Sequence, residues 1–269
     1  MSGCIDLHVD NEGVAHFHMA DRERKNIFSD RFIDDFLVTL DEVDRLEPKV
    51  MILRGLPDVF CGGAEKEALL DLADGKFVVK DLVLSERLVA TRFPVIAAME
   101  GHAMGGGLVL GLCCDMVVAA RESRYGAVFM SMNFTPGMGC TTLLPELVGR
   151  FVAAEMMYTA KRFRGSELET KGTSINYIVP KADVIKKATD VAVQIAEKSR
   201  RSLYLLKYAL CAPKKKLLID ARLQEDMMHE ITFRHPETRE RIEELYAGYE
   251  RATSRRTALD DSTKKGTDT

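Results

Sequence analysis

The sequence of 269 residues predicts an α/β fold with a largely parallel sheet. Two observations carry this. Val50–Leu53, Val95–Met99 and Met116–Ala119 are continuous apolar runs, the pattern of strands buried on both faces. Helical patterns lie between them, and strands alternating with helices imply parallel pairing through right-handed crossovers.

In chain order, Ile5–Val9 and Val14–Met19 alternate polar and apolar residues around Asn11-Glu12-Gly13, which predicts a hairpin of half-buried strands. His8, His16 and His18 fall at strand period and read as strand-face residues. Ser29 or Asp30 caps an amphipathic helix over Asp30–Leu46, with Phe32, Ile33, Phe36, Leu37, Leu40 and Val43 at helical spacing. Pro48 stops it, and Val50–Leu53 is the next strand. After Val59-Phe60-Cys61, Gly62 and Gly63 break the chain before a helix over Ala64–Ala73; residues 74–79 form a loop and Asp81–Thr91 another helix. Val95–Met99 leads through Gly101-His102-Ala103-Met104 to Gly105-Gly106-Gly107 and an apolar helix, then to the strand Met116–Ala119. Glu122–Gly126 is a short strand or turn, and Phe134–Gly139 a loop. A helix runs from about Thr141 with apolar faces as far as Met157, followed by a short capped helix near Phe163–Glu169, a strand over Ile175–Val179 and a helix over Asp183–Lys198. Ser202–Leu210, Lys216–Phe233 and Pro236–Leu245 are helical and charged. The expected division is a core over 1–195, a helical region over 196–249 and a disordered tail over 250–269, where large apolar residues are few.

Composition narrows the function. A charged fraction of 29%, a hydrophobic fraction of 46% and a net charge of -3 read as soluble and globular, with no balance for binding nucleic acid. The N-terminus lacks a basic-then-apolar signal pattern, and Ala103–Cys114 is too short and glycine-rich to span a bilayer. Cys4, Cys61, Cys113, Cys114, Cys140 and Cys211 show no CxxC or metal-ligand spacing and read as buried free thiols of a cytoplasmic protein. No GxGxxG follows a strand and no GxxxxGK[ST] occurs, which argues against dinucleotide and P-loop chemistry.

Two glycine turns carry the chemistry. Gly62-Gly63 and Gly105-Gly106-Gly107 each stand between a strand and a helix start. Helix-start amides have no partner inside the helix, and glycine lets a ligand approach them. Such a turn can hold an anion with backbone N–H groups; tight helix–strand packing is the alternative.

The runs FCGGAEK and AAMEGHAMGGG stand about 40 residues apart, with NIFS near residue 27 and FTPGMG near residue 135. In this order and spacing they resemble the crotonase (enoyl-CoA hydratase/isomerase) superfamily over residues 4 to 249. The resemblance implies a crotonase fold: a spiral core of ββα turns, a helical C-terminal trimerisation region and an acyl-thioester substrate. It also implies an oxyanion hole made by the amides of Ala64 and Gly106. Hydratases of the superfamily carry a Glu two residues after the glycine triplet, where this chain has Val109. They carry a second seven residues before the Pro of the later loop, where it has Phe129. Neither residue can activate water, so the resemblance keeps the oxyanion hole and drops the hydration machinery.

Within the superfamily the chain resembles the polyketide-synthase β-branching decarboxylases, which act on 3-methylglutaconyl groups held on an acyl carrier protein. The shared features are Gly62–Glu67, Ala98–His102, Phe134–Gly139 and Met227–Phe233. This likeness assigns Lys66 to the leaving carboxylate and His229 to proton delivery. It implies no cofactor or metal, a homotrimer, a carrier-protein partner, an upstream dehydratase, and no nucleic acid or membrane. Other members use a Tyr and a Lys further along the first helix, and Ala68–Leu72 offers no such pair. Read from position alone, Lys66 is also an ordinary solvated helix residue and His229 a packed or surface histidine. Arg22, Arg24, Lys25 and the run Lys214–Lys216 are candidates for a basic docking rim, and His102 flanks the glycine stretch without an assigned role. The rival readings are a crotonase-fold isomerase or thioester hydrolase, a non-catalytic carrier-binding subunit, and a nucleic-acid-binding member.

Overall fold

Each apolar strand of the sequence is followed by a shorter one that turns away from it, so the chain winds as a spiral feeding two main sheets, beside a third of two strands. The computed structural model describes residues 3–76 and 82–248. The larger sheet has six strands in the order Ile5–Val9, Val14–Met19, Val50–Arg54, Val95–Met99, Met116–Ala120, Tyr177–Val179. Its first pair is the antiparallel hairpin, in register from Ile5 opposite Met19 to Val9 opposite Ala15, and every later pair is parallel. The second sheet takes Val59–Cys61, His102–Met104, Arg124–Gly126 and Phe163–Arg164. Successive turns therefore give one strand to each sheet, a ββα spiral.

Side chains alternate across a strand, so a strand between two apolar layers must be apolar at every residue. Val50, Ile52, Ile96, Ala98, Val118 and Ala120 face the helix Val184–Ala196 on one side. Met51, Leu53, Val95, Ala97, Met99, Val117 and Ala119 face the main core, with Phe32, Phe36 and Leu40 of the helix Asp30–Leu46. That helix has the expected bounds, and the Ser29 side chain accepts the Phe32 amide at its start. All six cysteines are buried and free.

Several boundaries differ from the sequence reading. The helix expected from Ala64 starts at Lys66, because Gly63–Ala64 is instead a strand pairing with Ile27–Phe28. The long helix expected after Thr141 is two helices, Cys140–Val148 and Arg150–Thr159, broken at Gly149 with its φ of 84°. The expected loop 74–79 and helix start at Asp81 lie partly outside the described residues, and the expected tail lies wholly outside them.

The largest difference is at Pro213. Proline removes a backbone donor and, by local rules, separates Ser202–Leu210 from Lys216–Phe233. The structure has one helix of 34 residues, Arg200–Phe233, with Pro213 inside it. Side chains on both sides of the proline anchor it. Lys207, 3% exposed, donates to both carboxylate oxygens of Asp115 at 2.7 and 2.6 Å. Lys214 donates to the carbonyls of Leu112 and Cys114, both at 2.7 Å. These carbonyls close the helix Gly106–Leu112, so the long helix is fastened to the end of the glycine-triplet helix. A last helix over 236–248 folds back, with the Thr238 hydroxyl donating to the Thr232 carbonyl at 2.7 Å.

Candidate active site

A cavity of about 850 Å³ lies between the two glycine turns on one side and the later helices on the other. Its backbone wall begins at Asn26, which is buried with a φ of 54°. The Asn26 side chain donates to the carbonyls of Met19 and Phe60 at 3.1 and 3.0 Å and accepts the Asp21 amide at 2.9 Å. Its own carbonyl accepts the Cys61 thiol at 2.9 Å, and the Gly62 amide donates to the Lys25 carbonyl at 3.1 Å. With Ile27 opposite Gly63 and Phe28 opposite Ala64, the NIFS and CGGA runs are a single unit that sets the Ala64 peptide. Burial pushes the Cys61 thiol up to about 12, which makes it a wall residue with no thiolate chemistry.

The second turn is built around Gly105, whose φ of 52° and ψ of -125° are open only to glycine. Its amide donates to Gly126 at 2.8 Å, and its carbonyl takes the amides of Leu108 and Val109 at 3.0 and 3.2 Å. Gly106 is the first residue of its helix, so its amide has no acceptor within that helix. A side chain on Gly107 would strike the Cys61 carbonyl at 2.2 Å, so this glycine serves close packing. A Cβ on Gly63 would stand 3.4 Å from the Gly106 nitrogen, and the two turns therefore abut. Ala64 and Gly106 both border the cavity.

The side-chain wall comes from the long helix and the loop before Cys140. His229 borders the cavity, and its Nε2 lies 2.8 Å from the Thr135 carbonyl. A carbonyl only accepts, so Nε2 carries a proton, an assignment made from the hydrogen-bond partner. Nδ1 is then the nitrogen left for proton exchange. Phe134 and Phe233 meet the imidazole edge-on at 6.0 and 5.3 Å and stack on each other at 4.5 Å. Gly137 makes room: a Cβ there would sit 2.5 Å from His229 Cε1.

The two positions where hydratases carry carboxylates have different surroundings. Val109 is fully buried in the core, whereas Phe129 borders the cavity and packs edge-on against Phe134 at 5.9 Å. With Val128, Met132, Met138 and Leu72, this end of the cavity is apolar. Among the described residues no group of three or more His, Cys, Asp or Glu is placed to hold a metal ion.

Of the residues the sequence singled out, Ala64, Gly106 and His229 come together around this cavity. Lys66 does not: it opens the helix Lys66–Ala73, half-buried, and is not among the described residues lining the cavity. His102 borders the cavity but its Nδ1 accepts the Arg124 amide at 3.0 Å, joining two strands of the smaller sheet. Burial, with Lys181 and Arg124 nearby, lowers its pKa. Lys214 is committed to the carbonyls of Leu112 and Cys114 and leaves the candidate docking rim. Arg24 borders the cavity and pairs with Glu65 at 2.8 Å.

The sequence reading missed Glu225 and Tyr246. Glu225 is buried and accepts from the Gly139 amide, the Thr141 amide and the Thr141 hydroxyl. Burial pushes its carboxyl above the usual carboxylate range, against the pull of these donors. The Tyr246 hydroxyl donates to the Ala64 carbonyl at 2.9 Å. A usable signal for Glu225 was its place four residues before His229, on the same helix face.

The model of the enoyl-CoA hydratase/isomerase family matches residues 9–253. The chain is 39% identical to the bacillaene synthase decarboxylase PksI of Bacillus subtilis (strain 168), over 90% of this chain and 97% of that protein. It superposes with a TM-score of 0.87, at 38% identity, on a structure from a dehydratase/decarboxylase enzyme couple involved in polyketide β-branching. That match covers 91% of this chain and 99% of the other. A third likeness is to the ECH2 decarboxylase domain of CurF from Lyngbya majuscula. There the TM-score is 0.86 and the identity 35%, over 91% of this chain and 100% of that one.

Proposed function

The chain belongs to the enoyl-CoA hydratase/isomerase family, and on that premise we propose that it decarboxylates 3-methylglutaconyl-acyl carrier protein to 3-methylcrotonyl-acyl carrier protein in polyketide β-branching. The observation that carries the proposal is one cavity bordered by Ala64, Gly106 and His229, with Phe129 at a position where hydratases carry a carboxylate. The named relatives are decarboxylases, which supports the same reaction class.

The bond from the carboxylate to the γ carbon breaks, and CO2 leaves. Its electron pair passes through the conjugated double bond to the thioester oxygen, giving a dienolate. Two N–H groups aimed at that oxygen stabilise charge that develops only in the transition state, and losing one such donor typically costs about 10² to 10³ in rate. His229 then delivers a proton from Nδ1; delivery to the γ carbon gives the α,β-unsaturated product. The aromatic and aliphatic wall around Phe129 and Phe134 receives the branched acyl chain and excludes water. No metal or organic cofactor enters this sequence of steps. Lys66 is assigned to the leaving carboxylate on family likeness.

Exposed Ile219, Leu223, Met227 and Ile231, four residues apart on the long helix, support self-association through that face; the homotrimer itself is expected from family likeness. The carrier protein and an upstream dehydratase complete the expected partners. Among the described residues no helix is long and apolar enough to cross a membrane, and six free buried cysteines favour the cytoplasm.

The test is mass spectrometry on a carrier protein loaded with a 3-methylglutaconyl group, comparing the wild type with His229→Ala and Lys66→Ala. Loss of CO2 with the wild type and a large fall with His229→Ala is the expected result. No mass change on a competent cognate carrier would favour a carrier-binding subunit without chemistry, and turnover of simple acyl-CoA without CO2 release would favour an isomerase or hydrolase.

A further inference from the structure

The long helix holds the loop of residues 134–141 at three points spaced four residues apart. Glu225 takes Gly139 and Thr141, His229 takes the Thr135 carbonyl, and Phe233 stacks on Phe134. Residues at this spacing share one helix face, so one stripe positions the whole loop.

Glu225 stands out in this stripe by its chemistry. It is 1% exposed, and burying a carboxylate is costly unless its oxygens are matched by donors. Here they are matched. Oε2 accepts the Gly139 amide at 2.6 Å, and Oε1 accepts the Thr141 amide at 2.9 Å and the Thr141 hydroxyl at 2.6 Å. The loop it grips is not a conformation the chain adopts freely, since Met138 has a φ of 63° and Gly139 a φ of 89°. A non-glycine residue at positive φ is held there by its surroundings. The carbonyl that fixes the His229 ring lies three residues before Met138.

We propose that Glu225 is a positioning residue: by fastening Gly139 and Thr141 it fixes the Thr135 carbonyl, holds His229 as the Nε2–H tautomer and makes Nδ1 the nitrogen that exchanges a proton with the acyl chain. The kinetic part of this inference rests on the proposed decarboxylation; the tautomer part does not. The proton balance is simple. The imidazolium gives its Nδ1 proton to the dienolate carbon and becomes the neutral Nε2–H ring, still bonded to Thr135. Solvent protonates Nδ1 again before the next turnover. Delivery from Nε2 would instead break the Thr135 bond in every cycle.

The experiment uses the full chain labelled with 15N-histidine, with the His229 signal assigned by its loss in His229→Gln. The wild type is expected to show protonated Nε2 and bare Nδ1 in the neutral ring. Glu225→Gln turns an amide NH2 toward Gly139 or Thr141, both donors, and is expected to give a mixed tautomer signal. It is also expected to lower kcat at least tenfold with KM within about threefold. Thr141→Val removes only the hydroxyl bond and should move both readouts the same way by less; it carries the test if Glu225→Gln does not fold. A wild-type Nδ1–H signature would overturn the inference. So would Glu225→Gln with an unchanged tautomer and unchanged kcat, or with a lower melting temperature as its sole effect. If the wild type turns over no carrier-bound substrate, the decarboxylase reading fails by itself and the histidine spectra still decide the role of Glu225.

Discussion

The two walls of the cavity are built by opposite means. The Ala64 and Gly106 wall is backbone, shaped by glycines: Gly105 acts locally through its dihedral angles, and Gly107 lets its helix approach the Cys61 carbonyl of the other turn. The His229 wall is side chain, and its hydrogen bonds join residues 84 to 94 positions apart. On the proposed reaction, the backbone wall sets where negative charge develops and the side-chain wall sets how a proton moves; the latter depends on the long helix being in register with the loop. Asp115, Lys207 and Lys214 link the two walls, because they tie the long helix to the end of the helix that Gly106 begins.

The comparison is tested hardest at Gly105. Gly105→Ala places a side chain at φ 52° and ψ -125° and should displace the Gly106 donor. A fall in kcat of about 10³ in a folded protein is expected; activity within tenfold of wild type would mean that Gly106 gives no donor. Next is the link between the walls. Asp115→Ala leaves Lys207 buried without its carboxylate, and denaturant titration should show a loss of about 3 kcal/mol. A change below about 1 kcal/mol would show that the ion pair does not hold the helix in place. His229→Ala should lower kcat about a hundredfold with carrier affinity retained, the usual scale for a lost general acid. If affinity alone falls, the side-chain wall binds and does not transfer protons. The smallest effect is expected from Lys66→Ala, about tenfold in kcat/KM for a residue that binds the leaving carboxylate. A change below about threefold would remove it from the reacting carboxylate.

The sequence made the backbone wall legible because glycine turns between a strand and a helix are local events. The same holds for the helix Asp30–Leu46, which a Ser cap and helical spacing define almost alone. The break expected between Leu210 and Lys216 is absent because Lys207 and Lys214 hold the helix by bonds to residues about 100 positions away. Glu225 was hidden for a related reason. Among many acidic residues on charged helices, only the fold brings it to Gly139 and Thr141.

The most direct test is the carrier-bound reaction run in D2O and followed by mass spectrometry of the acyl arm. A dienolate quenched by His229 should lose CO2 and gain a single deuterium on carbon. Addition of water without loss of CO2 would show that hydration survives without carboxylates at positions 109 and 129, and would contradict the chemistry assigned to this cavity.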